Sequence, residues 1–185
     1  MRILAGQFKG KNLFAGHDLS IRPTTNRIKE IIFTILDDFC KGKSVLDLFS
    51  GSGSLGFEAM SRGAAKVTFV ERESKSIQVL KKNLQTLPIA PHCVNIIKAD
   101  ALDHLKQSKD SFDLILMDPP FSYPPLQDLV NEIMAKNIMN KRGVLVVHHE
   151  IQNPLLEEKV SYKMIKQKKV GRSLISVILQ EDLNV

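Results

Sequence analysis

Between residues 44 and 148 the chain alternates between short apolar runs and amphipathic stretches of helical period, and that alternation leaves few folds open. Apolar runs at 45–49, 67–70, 94–97, 112–117 and 144–148 are each of strand length. Helical patterns fall between them at 55–61, 74–87, 101–107 and 126–139; in 74–87, Ile77, Leu80, Leu84 and Leu87 share one face. Strands joined by helices lie parallel, so the expected fold is α/β, with helices covering both faces of a mostly parallel sheet. The C-terminus breaks the rhythm. Runs at 162–170 and 174–180 meet at Gly171, too close for a helical crossover, so they must pair antiparallel.

Residues 1–43 precede this pattern and read as a separate extension to a 44–185 domain. Ile3-Leu4-Ala5 and Asn12-Leu13-Phe14 flank a glycine-bearing link, as in a small hairpin. A helix follows Pro23, with Thr24 or Thr25 as N-cap. Ile28, Ile31, Ile32, Ile35, Leu36 and Phe39 form one apolar stripe, and Gly42 ends it.

The 185 residues fit one domain with an extension, and 43% hydrophobic with 25% charged residues is a globular balance. No apolar run approaches the roughly 18 residues of a membrane span, and Lys9 interrupts what a signal peptide would need. Cys40 and Cys93 stand apart, with no paired-ligand spacing. Two thiols, no metal site and a cytoplasmic location are the expectation. The net charge of +6 is unevenly placed. Arg2, Lys9, Lys11, Arg22, Arg27 and Lys29 face Asp18 alone in the first 29 residues. Lys159, Lys163, Lys166, Lys168, Lys169 and Arg172 form a second stretch with no acid between them. Basic charge at both ends, outside the motif-bearing centre, suits a surface that follows phosphates; a solvated basic face is the plainer account.

Asp47-Leu48-Phe49-Ser50-Gly51-Ser52-Gly53 and Gly56 place a glycine-rich turn after a strand and into a helix. Such a turn lets the backbone approach a ligand at a helix N-terminus. Nicotinamide, flavin and S-adenosylmethionine (SAM) proteins all use it. Asp47, inside the strand, suits a cationic amino acid moiety better than a pyrophosphate; otherwise it caps the turn. Glu71 at the end of the second strand can accept ribose hydroxyls. Asp100, after the third strand, either accepts from an adenine amino group or caps the next helix. Asp47, Phe49, Ser50, Gly51, Gly53, Glu71, Arg72, Asp100 and Ala101 are the candidate cofactor residues.

Asp118-Pro119-Pro120-Phe121 ends the fourth strand, at the sheet edge where α/β proteins bind ligands. A nucleobase or amide nitrogen is a poor nucleophile because its lone pair is delocalised. Hydrogen bonds from its two hydrogens to the Asp118 carboxylate and the Pro119 carbonyl would favour a pyramidal nitrogen able to attack a sulfonium methyl. Proline restricts φ and so aims that carbonyl, and Phe121 would stack on the base. A simple Asp-Pro-Pro turn with a core phenylalanine is the alternative.

These motifs together resemble the RsmD-type family of 16S ribosomal RNA guanine-N2 methyltransferases, which are class I SAM-dependent enzymes. The resemblance runs over nearly the whole chain. It rests on Arg2-Ile3-Leu4-Ala5-Gly6 with Lys9-Gly10 and Leu13, and on Arg22-Pro23-Thr24-Thr25-Asn26-Arg27-Ile28-Lys29-Glu30. It continues through the glycine turn to Gly56, Glu58-Ala59, Ser61-Arg62-Gly63-Ala64, Val70-Glu71 and Asp118-Pro119-Pro120-Phe121. Ser50 and Ser54 stand where alanine is common in the family, and Asn26 where aspartate is expected. The resemblance implies a Rossmann-like sheet of seven strands with the last antiparallel, and SAM as cofactor. It implies methyl transfer to N2 of one guanine in 16S rRNA, within an assembled or assembling small subunit. On it, Asp118, Pro119, Pro120 and Phe121 are catalytic, while Arg2, Lys9, Lys11, Arg22, Thr24, Arg27 and Lys29 meet RNA. Nothing demands more than a monomer.

The five histidines, His17, His92, His104, His148 and His149, are scattered, and the pair at 148–149 reads as satisfied strand-end residues. Adenine-N6 or glutamine-N5 transfer would use the same corner. A NAD-dependent oxidoreductase would leave the corner unexplained, and a non-catalytic RNA binder would have no need of the intact acid and glycines.

Overall fold

The computed structural model describes residues 1–16, 24–121, 123, 126–155 and 162–180. Arg22, Pro23, His17 and Lys159 lie outside the described residues.

The elements in chain order are α1 (Asn26–Leu36), a 3-10 turn (Asp37–Cys40), β1 (Ser44–Leu48), α2 (Ser54–Ser61), β2 (Lys66–Glu71) and α3 (Ser74–Gln85). Then follow β3 (Val94–Lys98), α4 (Ala101–Gln107), β4 (Phe112–Met117), α5 (Leu126–Ala135), β5 (Met139–Glu150), β6 (Tyr162–Val170) and β7 (Ser173–Gln180). One seven-stranded sheet results, in the order β3-β2-β1-β4-β5-β7-β6. β1 pairs parallel with β2 and β4, β2 with β3, and β4 with β5. β7 runs antiparallel to both β5 and β6. The expected α/β sheet with its last strand reversed is therefore what forms.

Alternate residues of each central strand feed opposite faces. Leu114, Leu116, Val144 and Val146 pack with α1, α2 and the N-terminal segment. Ile115, Met117, Leu145 and Val147 pack with α4 and α5. Because both faces are covered, these strands read in sequence as unbroken apolar runs.

The N-terminal segment is looser than a two-stranded hairpin. A single antiparallel bridge joins Arg2 and Asn12, supported by Ile3 N–H to Lys11 O (2.9 Å) and Leu13 N–H to Met1 O (2.8 Å). It is latched to α2 through Glu58, whose carboxylate accepts from Leu4 N (2.8 Å) and Ala5 N (3.0 Å). Two helix ends differ from expectation. α1 stops at Leu36 because Asp37 adopts φ 48°, and the chain continues as the 3-10 turn. α5 stops at Ala135, because Asn137 takes φ 52° and Phe112 N–H captures the Ile138 carbonyl (2.8 Å). Met139 therefore opens β5 instead of closing the helix.

Candidate active site

The sheet order lines up the carboxyl ends of β2, β1, β4 and β5, and the reversal of β7 brings its first residue to the same edge. Glu71, the Phe49-to-Gly53 turn, Asp118, His148 and Ser173 thus follow one another along one rim. They enclose a cavity of about 650 Å³. Phe49, Ser50, Gly51, Glu71, Arg72 and Ala101 line it from the expected cofactor residues, and Asp118, Pro119, Pro120 and Phe121 line it from the expected reaction corner. Thr24 and Arg27, at the start of α1, form another part of the wall.

The glycine turn is held from behind. Ser50 N–H and Oγ–H both donate to Val70 O (3.1 and 3.0 Å), and Gly53 N–H donates to Ser50 O (2.7 Å). Gly53 sits at φ 81°, a conformation that favours glycine. Gly56 answers to packing. A Cβ there would stand 2.3 Å from the Phe69 ring and 2.9 Å from Asp47 Oδ2. Buried Asn83, which no sequence motif flagged, donates to Ser52 O (2.9 Å) and exchanges bonds with the Phe14 backbone. It ties the turn to the N-terminal segment.

Asp47, Gly53 and Asp100 act from behind the wall and do not line the cavity. Asp47 is buried and accepts from Gly56 N–H (2.8 Å), so it caps α2 rather than facing a ligand directly. Burial pushes its carboxyl from the ordinary 3.8 up to about 8. The Gly56 hydrogen bond opposes this, and the charges of Asp118 and Glu71 add to it. Asp100 caps α4 through Leu102 N–H (2.9 Å). Glu71 is already latched, with Oε2 accepting from Gly51 N (2.8 Å) and Oε1 from Glu73 N (2.9 Å). Each oxygen keeps a further acceptor site.

At the reaction corner the Asp118 carboxylate is gripped on both sides. Thr24 Oγ1 donates to Oδ2, while His148 Nδ1 lies 2.8 Å from Oδ1. The Phe121 ring stands edge-on to His148, with centroids 6.1 Å apart. His148 was expected to be merely satisfied; its partner is the corner itself. Strand register contained the signal, since Met117 pairs with Val147 and so 118 and 148 are the next neighbours. His149 fits the plainer account, bonded to Asn153 O (2.9 Å) and Ser176 Oγ (2.8 Å), with burial lowering its pKa.

Of the residues expected at RNA, Arg2, Lys9, Lys11 and Arg27 are exposed. Lys29 is not: it is fully buried, 3.4 Å from Glu58 Oε2, and donates to Arg2 O (2.7 Å). It belongs to a buried ion pair that clamps α1 and the N-terminal segment to α2, and a phosphate has no access to it. The turn between β6 and β7 adds Arg172 to the cavity wall, a basic residue the motifs had not placed there.

The residues fit a nucleoside cofactor carrying a cationic amino acid part. Ser54, the first residue of α2, lines the cavity with a buried Oγ that lacks a protein partner. A ligand group at this helix N-terminus would satisfy it. Glu71 and Asp118 bring negative charge to the cavity wall, Asp47 stands behind them, and Arg27, Arg72 and Arg172 bring positive charge.

The comparisons with known proteins agree with this geometry. Residues 1–179 match the family described as Conserved hypothetical protein 95. Ribosomal RNA small subunit methyltransferase D of Haemophilus influenzae is 36% identical over 173 residues, covering 92% of this chain and 89% of its own. The solved structure of yhhF from Escherichia coli superposes with a TM-score of 0.87 at 30% identity, covering 98% of each chain. A more distant structure, SMU.776 complexed with SAH, shares the fold at a TM-score of 0.64 and 14% identity. The chain is therefore a methyltransferase and belongs to the family described as Conserved hypothetical protein 95, the RsmD-type family that its motifs resemble.

Proposed function

We propose that this protein transfers a methyl group from SAM to the exocyclic N2 of one guanine in 16S ribosomal RNA. One observation carries the reading: a single cavity joins the glycine turn and Glu71 to the Asp118-Pro119-Pro120-Phe121 corner. Two reactants held there meet without a diffusional search, and orientation alone is worth several orders of magnitude in effective concentration. The name of the Haemophilus influenzae relative supports small-subunit rRNA as the substrate. The SAH in SMU.776 supports SAM as the donor.

The cofactor supplies an electrophilic sulfonium methyl. Glu71 would accept from its ribose, the α2 N-terminus and Ser54 Oγ would hold its polar end, and buried Asp47 would brace that N-terminus through Gly56 N–H. Asp118 and the Pro119 carbonyl would accept the two amino hydrogens of a flipped guanine, freeing the nitrogen lone pair to act as nucleophile. The nitrogen becomes acidic once methylated, so Asp118 needs little intrinsic basicity to take its proton. Phe121 stacks on the base. Guanine N2 otherwise lies in the groove of a duplex, so the base must be splayed out. The extension over residues 1–43 is read as the part that closes the site on its substrate, and its Thr24 and Arg27 border the cavity. Exposed Arg2, Lys9 and Lys11 meet backbone phosphates, Thr24 and Arg27 border the reacting base, and Arg172 brings the basic β6 strand to the cavity mouth. A monomer acting in the cytoplasm, on assembled or assembling small subunits, completes the reading.

The test is to incubate the protein with methyl-labelled SAM and small subunits lacking the modification, then identify the labelled nucleoside. N2-methylguanosine is expected. Label in N6-methyladenosine would overturn the substrate assignment.

A further inference from the structure

Asp118 has one demanding task under the function proposed above: it must accept a weak N–H donor in one direction only. A carboxylate at a strand end can rotate. Here it does not swing freely, because Thr24 holds Oδ2 and His148 holds Oδ1. Thr24 lies on the extension that also meets substrate. His148 and its support belong to the sheet.

We propose that His148 is a positioning residue for methyl transfer, aiming the Asp118 carboxylate through its Nδ1–H, with its ring held in place from the other side by Ser173. This rests on Asp118 being the acceptor for the substrate amino group. The hydrogen-bond inventory carries it. Nδ1 lies 2.8 Å from Asp118 Oδ1, and Nε2 lies 2.9 Å from Ser173 Oγ. Ser173 Oγ is also 3.0 Å from Val170 O. Its single hydrogen serves one of those two acceptors at a time. With a neutral ring carrying Nδ1–H, the hydroxyl donates to Nε2. With a protonated ring, Nε2–H donates to the hydroxyl oxygen and the hydroxyl hydrogen turns to Val170 O. In both states Nδ1–H points at Asp118 and both ring nitrogens keep a partner. The tautomer with a bare Nδ1 would set a lone pair against a carboxylate oxygen at 2.8 Å, which is repulsive when the carboxylate is ionised. Asp118 thus keeps the hydrogen on Nδ1, and Ser173, able to donate or accept, keeps Nε2 partnered and the ring in place whichever charge it carries.

Burial makes the arrangement rigid. His148 and Ser173 are each only 7% exposed, and the Phe121 ring lies at an angle to the imidazole with centroids 6.1 Å apart. The support comes from the turn between β6 and β7, whose Val170, Gly171, Arg172 and Ser173 all line the cavity. The same turn thus presents a cation to the cavity and locks the ring behind the carboxylate. His148 does not touch the reacting atoms in this scheme; its effect passes through Asp118.

Three variants test it: His148→Leu, which removes the donor; His148→Asn, whose amide N–H stands near the Nδ1 position; and Ser173→Ala. Single-turnover methyl transfer to small subunits would be measured beside SAM affinity by calorimetry and thermal melting. His148→Leu should slow transfer by about 10- to 100-fold, as expected for a misaimed group, with the SAM dissociation constant within about twofold of wild type. His148→Asn should restore most of the rate. Ser173→Ala should lie between them, and should add nothing to His148→Asn, which has no second ring nitrogen to hold. Transfer by His148→Leu at the wild-type rate would overturn the proposal. So would an equal loss in Asn and Leu, or a rate loss that follows SAM affinity or melting temperature. If wild type binds SAM yet labels no guanosine, the proposed function itself fails and takes this inference with it.

Discussion

Replacing Lys29 by methionine isolates the buried pair that departs furthest from the sequence expectation. The Glu58 carboxylate accepts four donors in the structure: Leu4 N at 2.8 Å, Ala5 N at 3.0 Å, Arg62 Nε at 3.0 Å, and Lys29 Nζ at 3.4 Å. The Lys29 and Glu58 side chains are both 0% exposed. Burial pulls the Lys29 pKa down, and the Glu58 charge opposes that pull. Methionine preserves the aliphatic bulk but strips a buried carboxylate of its fully buried cation. Breaking such a pair on one side costs about 3–5 kcal/mol. Arg62 remains as a partly exposed counter-charge, which places the expected loss near 3 kcal/mol. For a chain of this size that lowers the melting temperature by about 6–12 °C. Urea unfolding of Lys29→Met, Glu58→Met and the double variant gives the coupling directly. The double variant should lose less than the sum of the singles. It should not return to wild type, because Leu4 N and Ala5 N lose their acceptor. Lys29→Met within about 1 kcal/mol of wild type, together with weaker RNA binding, would refute the buried-clamp account and return Lys29 to the phosphate surface.

Asp47 predicts a pH dependence. Its folded-state pKa of about 8 lies above the ordinary 3.8, so the folded protein holds a proton that the unfolded chain has released. The Asp47 contribution to stability should be greatest below pH 4 and fall as pH rises to about 8, by up to about 1.4 kcal/mol per pH unit, then level off. Asp47→Asn should flatten that slope in urea titrations across pH 5–9, and equal slopes in both proteins would contradict the assignment. Glu71→Gln should weaken SAM binding by about 10- to 100-fold in calorimetry, since a charged acceptor is lost; unchanged affinity would remove Glu71 from the cofactor site. Lys9→Ala with Lys11→Ala should lower the slope of log RNA affinity against log salt by about 1–2. An unchanged slope would take both off the phosphate path.

Much of the fold was legible because parallel strands covered on both faces leave continuous apolar runs, as in Leu114-Ile115-Leu116-Met117. The boundary between α5 and β5 was not, since Ile138 and Met139 extend the helical apolar pattern and only the backbone reversal at Asn137 separates them. Local patterning also misplaced Lys29, because a lysine among isoleucines reads as a polar position and its partner Glu58 lies in another helix. The glycine turn and the Asp118 corner carry their chemistry in contiguous residues and could be read directly. The contact from His148 to Asp118 spans thirty residues and depends on strand register, so its meaning emerges only when β5 is laid beside β4. Asp47 had two readings, and the cap on Gly56 is the one its geometry realises.

The most direct test of the Asp118 corner is the single-turnover rate of Asp118→Ala on small subunits, with SAM affinity measured on the same preparation. Transfer should fall by about 100-fold or more while SAM binds within about twofold of wild type, as when a group acts on the reacting atoms alone. Transfer within tenfold of wild type would mean that another group holds the substrate nitrogen. Loss of SAM binding together with the rate would mean that Asp118 supports the cofactor pocket and is not the site where the guanine amino group is received.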